Sequence, residues 1–162
     1  MEMVYRIWLP WDHTEIEIDI IAVHVQCLHC HALSRQTHVA SLFTVVYALN
    51  EISQHRELLE QLTDIMDGVG DDPWLVLGDF NTIRDLSEVN GMSGDISNAM
   101  EEFQDCIKST GLLDLPMPGE TYTWHNCSHG AHSLWKKLDR MTANAHWFRR
   151  WRMQFLFNTE NI

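Results

Sequence analysis

The stretch Pro73 to Asn81, PWLVLGDFN, restricts the backbone more than any other part of the chain. Trp74-Leu75-Val76-Leu77 is a run of four apolar residues, two of them β-branched or aromatic, and reads as a short buried strand. Gly78 then breaks the run, and Asp79 and Asn81 flank a single apolar residue. If the extended geometry persists, side-chain direction repeats every two residues and the acid and the amide point to one side. They would then sit at the carboxyl end of a buried strand, where open α/β sheets bind ligands. The alternative is an Asx-type turn that merely closes the strand. Spacing alone leaves both open.

At 162 residues the chain is of single-domain length and can bury a core. A formal charge of −12 argues against a surface broadly adapted to phosphate backbones, which need Lys and Arg. The charge is uneven, however. Residues 121–162 hold Lys136, Lys137, Arg140, Arg149, Arg150 and Arg152, interleaved with Trp135, Trp147 and Trp151. Such a pattern suits nucleic-acid tracking and base stacking, or else a solvated helix face with tryptophans turned inward. No basic stretch followed by an apolar block opens the sequence, so no signal peptide is expected, and no apolar run reaches membrane-spanning length. Four cysteines without a secretory signal are expected to be free thiols in a reducing compartment. The expected setting is intracellular, nuclear or cytoplasmic, with no membrane partner.

Strands are expected over 4–9, 15–22, 23–33, 39–47, 74–78, 121–124, roughly 134–141, and 153–157 (MQFLF). One helix follows from the spacing of Leu58, Leu62 and Ile65, with Leu59 and Met66 beside them and Gly68 as its stop. A second begins near Ser97 as N-cap, carries Met100, Phe103 and Ile107, and stops at Gly111. A short third helix is expected over 145–151. Strands first, then strands mixed with helices, indicate one layered α/β domain over 1–162.

His24, Cys27, His29, Cys30, His31 and His38 crowd one stretch, and Cys27-x-x-Cys30 has the form of half a zinc site. On a continuous strand Val23, Val25, Cys27, His29 and His31 share one face and Cys30 takes the other, so the thiols diverge. No second pair lies at ligand spacing, because Cys106 and Cys127 are far apart in sequence. No zinc is expected.

Later segments add to G-D-F-N. Val46-Tyr47-Ala48-Leu49-Asn50 ends a strand on Tyr and Asn, and Arg56-Glu57-Leu58-Leu59 follows on a helix. Ser87-Glu88…Gly91, an M-x-x-F and an L-x-D-L come next, then Tyr122-Thr123-Trp124-His125-Asn126 and Lys137-Leu138-Asp139-Arg140. In this order the motifs resemble the endonuclease/exonuclease/phosphatase superfamily, which includes DNase I-like and AP-endonuclease-like enzymes. They are most similar to the endonuclease domain of plant non-LTR (LINE-type) retrotransposon polyproteins.

The resemblance implies a DNase I-like two-sheet α/β sandwich in four layers and a Mg²⁺-dependent DNA endonuclease site at its strand ends. It implies that Asp79 activates or positions the attacking water and that Asn81 contacts the scissile phosphate. Tyr47 and Asn50 match positions near that phosphate, Thr123 and Asn126 match substrate-contacting positions, and Asp139 matches an acid that orients a catalytic histidine. The family's metal-binding glutamate, in an E-T-K-like segment, and its S-D-H segment have no counterpart here. The chain is therefore expected to be a partial domain, lacking N-terminal strands and the final catalytic strand-loop, with weak or no activity. Sheet edges left open in this way predict self-association. The alternative is a non-catalytic retrotransposon remnant or a nucleic-acid-binding relic that uses the basic C-terminal third.

Overall fold

The computed structural model describes residues 7–91, 94 and 97–158, with side chains described as far as Trp151. Three antiparallel strands open the described fold: β1 (Ile16–Val23), β2 (Cys27–Ser34) and β3 (Ala40–Tyr47). Helix α1 (Ile52–Val69) then crosses over, and β4 (Trp74–Asp79) returns parallel to β3. After the short strand β5 (Val89–Asn90) come helix α2 (Ser97–Thr110) and the strands β6 (Leu113–Asp114), β7 (Trp124–His125), β8 (Trp135–Lys136) and β9 (Asp139–Ala143). Helix α3 (Ala145–Asn158) ends the described chain. The strands form a six-stranded sheet in the order β1-β2-β3-β4-β9-β6 and a three-stranded sheet in the order β5-β8-β7.

Helices α1 and α2 cover one face of the large sheet. Leu58 and Leu62 of α1 and Phe103 and Ile107 of α2 pack with Leu42, Val46, Trp74 and Val76 into one buried cluster. The apolar ramp thus alternates: Trp74 and Val76 are fully buried, while Leu75 and Leu77 point the other way and are half-buried. Phe43, Val45 and Met141 share that second face and are half-buried too. Two buried polar side chains on the helix side share one hydroxyl. The Trp74 indole N–H donates to Thr44 Oγ1 at 2.9 Å, and His29 Nδ1 lies 2.8 Å from the same hydroxyl.

Helix α1 runs through Gly68 and ends at Gly70, whose φ of +58° suits a residue without Cβ. Helix α2 already includes Ser97 as its first residue and stops at Gly111. Five strand expectations need correction. Residues 153–157 lie within α3, because a short apolar run without alternation fits either element and here continues the helix begun at Ala145. Residues 7–9 carry no strand, and Val4 to Arg6 lie outside the described residues. The stretch 23–33 is broken by a hairpin turn at 24–26, where the His24 N–H donates to the Cys27 carbonyl at 2.8 Å. The stretch 134–141 is two strands in different sheets, and only Trp124 of 121–124 is paired.

The basic C-terminal third is also not the stripe its sequence suggests. Arg140 is 1% exposed and grips Glu88, with Nη2–Oε2 at 2.6 Å and Nη1–Oε1 at 3.2 Å, while its guanidinium lies 5.1 Å from the Phe103 ring centre. Lys137 Nζ also reaches Glu88, at 3.7 Å. On α3, Arg149 and Arg150 are exposed while Trp147 and Trp151 are half-buried with ring centres 5.4 Å apart, so this helix follows the solvated-face pattern.

Burial alone would raise the Glu88 carboxyl. Hydrogen bonds from Arg140 and the Arg84 N–H, together with the Arg140 and Lys137 charges, outweigh it and hold the group below its ordinary value. A depressed carboxylate contributes stability that is present above its unfolded pKa and is lost as pH falls toward its folded one. We expect Arg140→Leu to lower unfolding free energy by about 3–5 kcal/mol, because it strands a buried carboxylate. In urea titrations the pairing of Arg140→Leu with Glu88→Leu should recover much of that loss. Equal losses in the single and double variants would show that the pair is not what the variant disrupts.

Candidate active site

Gly78 is dictated by backbone crowding. Its φ is +134°, and a Cβ built there would lie 2.0 Å from the Val46 carbonyl oxygen. Only glycine lets β4 pass this close to β3 at its end. Asp79 closes the strand with both neighbours in register: Tyr47 on β3 and Asp139 on β9 are its pairing partners. Directly paired residues on adjacent strands project to one face. The tyrosine and the two carboxylates therefore form a row across three strands, on the face opposite the helices.

Asn81 reaches the site by a different route from the one expected. The strand ends at Asp79, and Asn81 has φ +53°, a left-handed conformation that asparagine tolerates. Its N–H donates to Asp79 Oδ1 at 2.8 Å, an Asx turn, and its side-chain amide donates to the Ala48 carbonyl at 3.2 Å. Phe80, between them, is fully buried against Phe103 with ring centres 5.2 Å apart. Asn50 and Asn81 line one cavity of about 380 Å³ together with Thr82, Asn98, Lys136 and Leu138.

Thr123 lies before β7, beside Asp139. Its hydroxyl accepts the N–H groups of both Leu138 and Asp139 at 3.0 Å, which fixes the backbone as the chain enters β9. Asn126 is otherwise engaged. Its side chain donates to the His132 carbonyl at 2.8 Å and accepts from the Ser128 and Leu134 N–H groups at 3.2 and 3.1 Å. These bonds organise the loop between β7 and β8.

Burial raises the Asp79 carboxyl above its usual range, and the facing Asp139 charge adds to that, against the lowering bond from the Asn81 N–H. Two facing carboxylates with one raised is an arrangement that a cation or a shared proton relieves. Their hard oxygens suit Mg²⁺, which takes one or two carboxylates and completes its sphere with water and substrate oxygens. Among the described residues no three of His, Cys, Asp and Glu converge as a metal cluster.

The cysteine stretch is built for packing. Cys27 and Cys30 are both fully buried and free, and desolvation pushes their thiols up to about 12 and about 11. Cys27 Sγ lies 3.8 Å from Gln61 Oε1 of α1, and Cys30 projects to the other face of β2. Asp71, by contrast, is a loop residue 3.4 Å from His146, and Asp85 caps the turn at 86–88 through the Ser87 N–H. Three contacts were not foreseen from the sequence: the pairing of Glu88 with Arg140, the place of Lys136 at the Asn81 cavity, and His55 Nε2 against the Phe80 carbonyl behind the turn. Only Arg140 left a signal, since in D-R-M-T-A it alternates with Thr142 on the face that meets the helices.

No protein-family model matches the sequence, and no curated protein matches it by sequence. Among solved structures the chain is similar to the endonuclease domain of TRAS1, a telomere-specific non-LTR retrotransposon, with TM-score 0.67 and 13% identity over 83% of this chain and 58% of that one. Weaker likenesses, on which nothing rests, include the human nocturnin catalytic domain (TM-score 0.46, 15% identity, 83% and 50% covered). Another is an endonuclease/exonuclease/phosphatase family protein from Bacteroides thetaiotaomicron (TM-score 0.47, 15% identity, 74% and 41% covered). The TRAS1 likeness establishes the fold, the DNase I-like α/β fold that the motifs led us to expect, and the chain spans 58% of that domain's length.

Two measurements check the local geometry. Thr123→Val should cost about 1–3 kcal/mol of stability, since it leaves two N–H groups without their acceptor; an unchanged urea midpoint would contradict the contact. Protein equilibrated with zinc and desalted should retain no metal by elemental analysis. One zinc per chain would overturn the packing role of Cys27 and Cys30.

Proposed function

We propose that this chain derives from a phosphodiester hydrolase of DNA endonuclease type, related to the endonuclease domains of non-LTR retrotransposons. The single observation that carries the reading is the facing of Asp79 and Asp139 beside Tyr47 at the strand ends of a fold shared with such a domain. Asp79, raised by burial and by its neighbour, is suited to accept a proton from a water positioned against phosphorus. Asn50, Asn81 and Lys136 line the adjoining cavity and would supply donors and charge to phosphate oxygens. Asp79 and Asp139 would hold Mg²⁺, which when bound offsets the charge that develops on the phosphate. DNA is the proposed substrate, and Thr123 serves the site by fixing Asp139.

The chain alone is proposed to be weakly active or inactive, as a retrotransposon remnant would be. The motifs it shares with the family do not include the metal-binding glutamate or the S-D-H histidine, and groups of this kind act as a unit. The half-buried second face of the large sheet and the edge strand β1, with Ile20 59% and Ile21 56% exposed, favour self-association. The alternative of a nucleic-acid-binding relic is less favoured, because Arg140 and Lys137 are already committed to Glu88.

Plasmid nicking tests the reading. The 162-residue chain should leave supercoiled DNA intact in Mg²⁺. A version extended at both ends by the family's E-T-K-like and S-D-H segments should nick it, and Asp79→Ala should slow that by at least about 10²-fold, the scale of a lost general base. Failure of the extended chain would overturn the hydrolase reading. Nicking by the short chain that Asp79→Ala abolishes would overturn the proposal that it is inactive.

A further inference from the structure

His55 is the one buried histidine on the helix side that touches the turn carrying Asp79 and Asn81, among the described residues. It lies in the first turns of α1, is 5% exposed, and its Nε2 is 3.0 Å from the Phe80 carbonyl oxygen. A carbonyl only accepts, so Nε2 carries the proton. Nδ1 is then a bare nitrogen, and it has no partner among the described groups. Burial lowers the pKa of the ring, against the opposing influence of the Phe80 carbonyl and the Glu102 charge. A group kept dry with half its hydrogen-bonding capacity unused is a poor choice for filling a core, where a leucine would leave nothing unsatisfied.

The other backbone groups of the turn show what the histidine adds. The Asp79 carbonyl accepts from the Ala48 N–H at 2.8 Å, and the Phe80 N–H donates to the Leu138 carbonyl at 3.0 Å. The Asn81 N–H is taken by Asp79 Oδ1. The Phe80 carbonyl lies between those last two bonds and faces the helices, away from either neighbouring strand. Rotation of the Phe80–Asn81 peptide would swing that carbonyl, release Asn81 from φ +53° and detach its N–H from Asp79.

We infer that His55 is a positioning residue that locks the Phe80–Asn81 peptide from behind, and so holds Asp79 and Asn81 in their mutual geometry. It touches neither the carboxylates nor a substrate and acts only through the Phe80 carbonyl. Its significance for phosphodiester chemistry rests on the function proposed above, but the geometry can be tested without any activity.

Amide hydrogen exchange on the intact 162-residue chain reads it directly. In His55→Leu the Asn81 amide should exchange about tenfold faster, the change expected on losing one hydrogen bond to a buried carbonyl. The Val76 amide in β4 should keep its protection. His55→Gln, which offers an N–H at similar reach, should restore the Asn81 amide. A purely space-filling histidine predicts the reverse: the apolar variant leaves Asn81 unchanged, or both variants loosen Val76 and Asn81 alike, and either result overturns the inference. Long-range ¹H–¹⁵N spectra of the unmodified chain provide an independent arm. They should show a neutral ring protonated at Nε2 at pH 7, and a proton on Nδ1 instead would also overturn it.

Discussion

The buried pairing of Arg140 with Glu88 ties the central sheet to the segment that follows β4. Arg140 lies on β9 one residue after Asp139, and Glu88 belongs to the irregular segment between β4 and α2. The Arg84 N–H donates to the same carboxylate at 2.6 Å, Arg84 and Arg140 both reach Asp114 next to β9, and Gln104 of α2 donates to the Arg84 carbonyl at 2.6 Å. One guanidinium therefore links the central sheet, the loop, the edge strand β6 and, through Phe103, the second helix. A buried ion pair is weak evidence for net stability, since apolar residues could fill the same volume. What it supplies here is direction: Arg140 can face inward only if Asp139 faces outward, because neighbours on a strand alternate. The orientation of the acid at the site is set by the burial of the base beside it.

The turn at Gly78 to Asn81 shows why two readings of the sequence were not competitors. An Asx turn and a pair of functional side chains require the same residues. The aspartate that caps the turn by accepting the Asn81 N–H also presents its carboxyl beside Asp139, and the asparagine that enters the left-handed region gains a position over the adjoining cavity. A short turn held on all sides is what preorganisation requires, since a reacting geometry must not relax when charge develops.

Where the sequence was legible, the cause was local. The ramp at Trp74 to Leu77 could only be a buried strand, and the stripes on α1 and α2 could only face a core. The motif order led to the fold, and Tyr47, Asp79 and Asp139 fall in one row because each ends or begins a strand in the central sheet. The failures were non-local. Residues 153–157 carry no alternation to separate strand from helix. The bonds that Asn126 makes across the 126–134 loop are not encoded in its spacing. The link from His55 to Phe80 spans 25 residues and depends on where a helix packs, which no spacing encodes. The same is true of Glu88 and Arg140, 52 residues apart, whose pairing no motif or spacing indicates.

The charge distribution then decides how such a site can meet a phosphate. A chain of net charge −12 repels a polyanion at long range, and the site itself presents two carboxylates. Of the nearby cations, Arg140 is buried and Lys137 is shared with Glu88, so among the described residues Lys136 is the positive group that lines the Asn81 cavity. One lysine does not balance Asp79 and Asp139. On the function proposed above, a phosphodiester would reach this row together with a positive charge, such as a hard divalent cation supplies. The acidity that makes the chain an unpromising nucleic-acid binder in bulk is thus the same feature that, concentrated at one strand end, the proposed cation would offset.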